Sequence, residues 1–183
     1  IYARKCEIAE LTTAQAKTFF NENHIQQWIG SSYYWGLLHN NEIVMAISIS
    51  PTRFNNKLAK YELMRLCSKQ DLTVIGGGSK LLKHAQSILN SNILSYCDRS
   101  KSNGTSYLSM GFKLIGITKP SYFYVKSTEV LSRYQCQKHK QLNLYNKNII
   151  SSYDPSLTES ENMFASNYRR FWDCGNLVFI LSD

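Results

Sequence analysis

"DLTVIGGGSKLLKHAQSIL", residues 71–89, opens as a short β-type run, crosses three consecutive glycines and becomes an amphipathic helix. Three glycines remove all side-chain bulk where a strand hands over to a helix. A Walker A loop needs G-x-x-x-x-G-K-[ST], but Lys80 follows Ser79 and precedes Leu81, which excludes it. A dinucleotide fingerprint needs G-x-G-x-x-G, and Leu81 stands at its third glycine. What fits is a bare turn, Gly76-Gly77-Gly78, leading through Ser79 and Lys80 into a helix. Unencumbered N–H groups at such a helix start hold phosphate oxygens through backbone hydrogen bonds and the helix dipole. The competing reading is close packing of strand against helix.

The flanking sequence alternates between α and β periods. Residues 13–22 carry Ala14, Ala16, Phe19 and Phe20 at helical spacing, with Thr12 or Thr13 as N-cap. "YYWGLLH" and "EIVMAISIS" are strand-like and join through Asn40-Asn41, a tight-hairpin signal. "KYELMRLCS" (60–68) is a further strand, "LTVI" runs into the glycines, and a helix follows from about Ser79 to Leu89. "NILSYCD" (92–98) is a strand. "TSYLSM" is a short helix stopped by Gly111, and "FKLIGI" and "YFYV" form a final strand pair. The pattern predicts an α/β domain with a mixed central sheet and helices on both faces. It spans residues 1–125, and an extension over 126–183 packs on it. That extension holds a basic segment, a short helix "ESENMFAS" and a late strand "NLVFIL".

The 183 residues suffice for one domain with a proper core, and 43% hydrophobic content describes a globular chain. No apolar run reaches membrane-spanning length, so no membrane partner is expected. Five cysteines without a C-x-x-C pair read as reduced thiols, hence a cytoplasmic setting. No Cys/His cluster suggests a metal. The net charge of +8 suits an anionic partner such as nucleic acid or a CoA pyrophosphate. Its excess lies in Lys119, Lys126, Arg133, Lys138 and Lys140, which face only Glu129 over that stretch.

"TVIGGG" and "NGTSYLSMGFKLIG" (103–116) resemble two segments of the GNAT acyl-CoA transferases. The family holds the CoA pyrophosphate on [QR]-x-x-G-x-[GA], and Thr73 stands here where Gln or Arg is usual. The resemblance implies acetyl-CoA or a related acyl-CoA as cofactor, held by Gly76, Gly77, Gly78, Ser79 and Lys80. It sets Asn103 near the pantetheine arm and makes Tyr107 the acid for the departing thiolate. "YELMRLC", "VIGGGSKLLKH", "ILSYCDRS" and "YRRFWDCGN" also resemble a GNAT-like domain of bacteriophage proteins, often preceded by a homing-type nuclease domain. The pair "YELMRLC" and "LSYCD" is similar to the phage Mom DNA-modification protein. That likeness singles out His24, Glu62, Arg65, Ser79 and Asp98, and implies DNA as partner. The chain itself has no GIY-YIG, LAGLIDADG or H-N-H motif.

Acyl transfer to an amine needs an oriented thioester, an oxyanion donor and a base. A backbone N–H where neighbouring strands splay apart can be that donor, but periodicity cannot show it. Asp98, at a strand end, can orient or deprotonate an amine or simply cap the following turn. Glu62 and Arg65 lie three apart in one strand, so strict alternation sends them to opposite faces, one toward substrate or phosphate or both into structural ion pairs. His24, after the first helix, has a suitable pKa for a base, or caps helix carbonyls.

Arg133, Lys138 and Lys140 beside Tyr134, and Arg169 and Arg170 beside Phe171 and Trp172, combine cations with aromatics as nucleic-acid surfaces do. Trp172 reads as core and the arginines as solvent- or phosphate-facing. The leading reading is an acyl-CoA-dependent N-acyltransferase acting on DNA. The alternatives are a non-catalytic DNA-recognition module attached to a nuclease and a small-molecule or protein N-acetyltransferase.

Overall fold

The structure is a computed structural model that describes residues 1–53 and 57–182. In chain order its main elements are β1 (Glu7–Glu10), α1 (Thr13–Asn23), β2 (Tyr33–His39), β3 (Glu42–Pro51), β4 (Tyr61–Ser68) and α2 (Gly77–Leu89). There follow β5 (Ile93–Asp98), α3 (Thr105–Ser109), β6 (Lys113–Ile117), β7 (Tyr122–Lys126) and β8 (Glu129–Ser132). The chain ends with α4 (Arg133–Cys136), α5 (Lys138–Asn146), α6 (Glu159–Ala165), β9 (Arg169–Trp172) and β10 (Asn176–Leu181).

Contacts divide the chain into two compact units, one of Ile1–Cys97, Ser102–Gly116 and Leu177–Asp183, the other of Asp98–Lys101 and Ile117–Asn176. The second unit is mostly an excursion between β6 and β10, and the last strand returns to the first unit.

The first unit is built on a seven-stranded sheet of order β1-β2-β3-β4-β5-β10-β6. Strands β1 to β4 pair antiparallel, while β4 and β5 run parallel. Asn40 and Asn41 adopt positive φ of 51° and 63°, the conformation a two-residue hairpin turn demands. Alternation along the strands feeds two cores. Trp35, Leu37, Ile47 and Ile49 pack with Leu81, Leu82 and Ala85 of α2, and Tyr34 and Ala46 pack with Ala16, Phe19 and Phe20 of α1. Helices therefore cover both faces, as the sequence predicts. Thr12 and Gln15 close a capping box that fixes where α1 starts.

"LTVI" is not a sheet strand. Its carbonyls and amides pair with the first residues of the chain instead: the Ile1 amine donates to Thr73 O (2.9 Å), Ile75 N to Ile1 O (2.8 Å) and Ala3 N to Ile75 O (2.9 Å). "FKLIGI" and "YFYV" do not pair with each other either. The first is the sheet edge β6, and the second is the centre of a three-stranded sheet, β8-β7-β9, in the second unit. "NLVFIL" separates β6 from β5. The second unit closes over its own core of Tyr124, Cys136, Leu144, Ile150, Met163 and Tyr168. Among the described residues no helix is long and apolar enough to cross a membrane.

Candidate active site

Strand β4 carries the decisive irregularity. Ser48 pairs with Arg65, Ile49 with Leu63 and Ser50 with Glu62, so Met64 is an extra residue with no partner on β3. Such a bulge shifts the alternation by one. Ser48 and Ser50 are two apart and share a face, and their partners Arg65 and Glu62 share it too. The expectation that Glu62 and Arg65 project to opposite faces is thereby corrected: alternation alone does not count the bulge.

On its other edge β4 pairs with β5 only through Tyr61–Ile93 and Glu62–Leu94. Beyond Glu62 the strands part, and a cleft of about 320 Å³ opens beside Leu63, Met64, Arg65 and Leu66, with His24, Tyr96, Tyr107 and Met110 also lining it. A regular strand shows only every second side chain to one side. Here four consecutive residues, Leu63–Leu66, line the cleft along the part of β4 that no longer pairs with β5.

The glycines serve two purposes. Gly76 caps α2 with φ of 77°, a left-handed conformation that suits glycine. Added Cβ atoms would lie 2.5 Å from Met45 Sδ and 2.8 Å from Val74 Cγ1 at Gly77, and 2.4 Å from Met110 Sδ at Gly78. Close packing therefore requires Gly77 and Gly78. The first-turn amides of Gly78 and Ser79 have no intrahelical acceptor, which leaves donors for an anion at the head of α2. Lys80 is committed elsewhere: its ammonium donates to Ala3 O (3.0 Å) and Cys6 O (2.5 Å).

Tyr107 lies flat against Phe179, ring centroids 4.8 Å apart, and its hydroxyl accepts from Ser95 Oγ at 3.4 Å. Burial raises its pKa, so the phenol keeps its proton at neutral pH. His24 is the C-cap of α1, and its Nδ1 accepts from Gln26 N at 3.0 Å, which assigns the proton to Nε2. Burial, and then the charge of Arg65, push its pKa down to about 4. Glu62 is 3% exposed, and its Oε1 accepts from Arg53 Nη2 at 2.9 Å. Among the described residues its Oε2 is buried without a hydrogen-bond partner, as is Ser48 Oγ across the bulge. Asp98 ends β5 and belongs to the second unit, where its Oδ1 accepts from Ser100 N (2.8 Å) and Oγ (2.7 Å), a turn-capping arrangement. Asn103 likewise closes the turn that leads into α3, its Oδ1 accepting from Thr105 N at 3.1 Å.

No protein-family model matches the sequence, and no curated protein matches it. Solved structures do. Over 98% of this chain and 99% of the other, an acetyl-CoA-bound GNAT family acetyltransferase from Elizabethkingia anophelis superposes with a TM-score of 0.54 at 14% identity. The CoA complex of a Bacillus subtilis acetyltransferase gives 0.50 at 13% identity over 98% of both chains. Arabidopsis thaliana Naa50, held with the bisubstrate analogue CoA-Ac-MVNAL, gives 0.52 at 12% identity over 98% and 99%. The fold is that of the GNAT acetyltransferases.

Within this GNAT fold the predicted residues separate into groups. His24, Arg65 and Tyr107 meet at the cleft, and Glu62 shares the face of Arg65. Gly76, Gly77, Gly78 and Ser79 form the head of α2. Arg133, Lys138, Lys140, Arg169 and Arg170 all lie in the second unit. There Arg133 and Arg170 both stand over the Tyr122 ring, at 5.0 and 5.2 Å, Lys140 lies over Tyr134, and Arg169 over Phe164. Trp172 is 59% exposed rather than core, because β9 presents its whole length to solvent. Among the described residues no group of three or more His, Cys, Asp or Glu could hold a metal.

Sequence reasoning missed Ser48, Met64 and Arg53. Ser48 and Met64 read as ordinary members of β-runs, and a bulge leaves no composition signal. Arg53 acquires meaning only through Glu62.

Proposed function

We propose that the chain is an N-acyltransferase that moves an acyl group from acetyl-CoA or a related acyl-CoA to an amine. The observation that carries this reading is the bulged β4 edge at its parting from β5, where Leu63–Leu66 line a cleft whose Leu66 and Met110 also pack close to Gly78 at the head of α2. The acyl-CoA supplies the thioester, whose C–S bond breaks as the new C–N bond forms. Backbone N–H groups of the Leu63–Leu66 edge hold the negative charge that develops on the carbonyl oxygen. Tyr107, with its proton retained by burial, gives that proton to the departing sulfur. Glu62 is the candidate acceptor for the proton released by the amine, since it stands on the face of the cleft-lining Arg65 and its Oε2 has no partner among the described residues. His24 is the poorer base: Nδ1 is occupied and Nε2 already carries hydrogen. Thermal-shift measurements with acetyl-CoA test the donor, since a ligand at 100 times its Kd stabilises by about 2.7 kcal/mol. Assay of thiol release with a panel of amines tests the reaction. No shift at millimolar acetyl-CoA would sink the reading.

A second, narrower reading has DNA as the acceptor in a phage-type setting. It is supported by the net charge of +8, by the resemblance to phage proteins, and by the exposed Arg169 and Arg170 of β9. Mass analysis of DNA from cells expressing the chain decides it: an acyl-sized increment on a base supports DNA, and unmodified DNA excludes it.

A further inference from the structure

Arg65 is the only Lys or Arg among the described residues lining the cleft. A guanidinium offers five N–H donors. Here Nε donates to Gln27 O at 2.8 Å, Nη1 to Met64 O at 2.8 Å and Nη2 to Gln26 O at 3.4 Å. These acceptors are neutral, and one N–H remains on each terminal nitrogen. Among the described residues the ion pairs are Arg53–Glu62 and Lys69–Glu42, so no carboxylate answers Arg65. Glu62, which shares its face, is held by Arg53, and the charge of Arg53 repels that of Arg65. Neighbouring His24 adds no charge of its own at neutral pH, and Tyr107 presents a neutral hydroxyl.

A half-buried cation without a counter-charge is costly, and a ligand that brings the missing anion recovers that cost. Two adjacent N–H groups on a planar fork match the two oxygens of a carboxylate. The cleft, about 320 Å³ with Leu63, Leu66 and Met110 on its walls, stands at the small end of ligand sites and fits an acyl group or an amino acid.

We propose that Arg65 binds a carboxylate carried into the cleft by one of the two reactants. That carboxylate is either the free end of a dicarboxylic acyl group or the α-carboxylate of an amino-acid acceptor. The assignment rests on the acyl-transfer reading, and it adds the class of substrate.

Isothermal titration of acetyl-CoA and succinyl-CoA, with unmutated protein and Arg65→Gln, examines the donor. If the donor carries the group, succinyl-CoA binds about tenfold tighter or more, and Arg65→Gln abolishes the preference. Thermal shifts with saturating CoA and matched pairs, phenylalanine against phenethylamine and leucine against isoamylamine, examine the acceptor. If the acceptor carries it, only the amino acids stabilise, and again only with Arg65 present. Should Arg65→Gln fail to fold, Arg65→Lys replaces it: the charge remains, the fork is lost, and the preference shrinks. Equal binding of both thioesters together with no discrimination within the amine pairs overturns the carboxylate site alone. So does a preference that survives substitution, or binding of a short DNA oligonucleotide that Arg65→Gln removes. Failure of both thioesters to bind overturns the acyl-transfer reading itself.

Discussion

Glu62 and Arg65 stand on the same face of β4, three residues apart, because Met64 is inserted between them without a partner on β3. A buried carboxylate, one oxygen of which has no hydrogen-bond partner among the described residues, is thus brought to the face of the cleft-lining arginine. Glu62→Gln keeps the shape and removes the base. The expected result is a fall in kcat of about 10²–10⁴-fold with the KM for acyl-CoA little changed. An unaltered kcat would assign Glu62 to the Arg53 pair alone.

Tyr107 acts as an acid only while it holds its proton. Its raised pKa keeps it protonated at neutral pH, so the rate should fall only above the ordinary tyrosine range. In Tyr107→Phe the rate should drop by about 10²-fold or more, and that alkaline limb should vanish from the pH profile. An alkaline limb that persists belongs to another group.

His24 makes stability depend on pH. Its folded pKa, about 4, lies below the ordinary 6.5, so the unfolded chain binds the extra proton between those values. The contribution is complete above about pH 6.5 and is lost as pH falls toward 4. Discounted for solvent screening at this half-buried site, it amounts to about 1–2 kcal/mol. Urea titrations at pH 7.5 and 4.5 should show that difference, and His24→Gln should flatten it.

Gly77 and Gly78 should respond differently to alanine. A methyl at Gly77 meets the stiff Val74 as well as Met45 and Leu37, whereas at Gly78 it meets chiefly the flexible thioether of Met110. Gly77→Ala should lose about 1–3 kcal/mol, the usual range for overpacking. Gly78→Ala should lose less, because helix propensity returns up to about 1 kcal/mol. Displaced Met110 should nonetheless weaken CoA binding. Equal denaturation midpoints for the two variants would contradict this packing.

For the DNA reading, the double change of Lys138 and Lys140 to Ala should reduce the log–log salt slope of duplex binding by roughly 1–2 units. An unchanged slope would make this segment a solvated face.

Much of the fold was legible because its signals are local. Thr12 or Thr13 as N-cap announces α1, Asn40-Asn41 announces the hairpin, and the glycines followed by "SKLLKHAQSIL" announce α2. Pairing between distant segments was not legible. "NLVFIL" looks like any late strand, and nothing in it specifies a place between β5 and β6. "LTVI" has strand composition but finds its partners in the first three residues. At the site, residue types pointed to His24, Glu62, Arg65 and Tyr107. Their common location depends on one unpaired methionine and on where two strands stop pairing, and those are properties of register rather than composition.

The place of β10 also dictates an order of events during synthesis. β5 and β6 are complete by residue 117, yet the strand between them does not begin until residue 176. Throughout the intervening elongation the nascent sheet has a missing member, and Leu114, Ile115 and Ile117, still 44% to 58% exposed in the finished protein, lack their eventual neighbour. The second unit has its own core and can condense in that interval. Closure of the main sheet is thus postponed until Asn176–Leu181 emerge, a long-range pairing of the slow kind. A ribosome stalled before residue 176 would hold out an unfinished sheet edge, open to other strands and to chaperones.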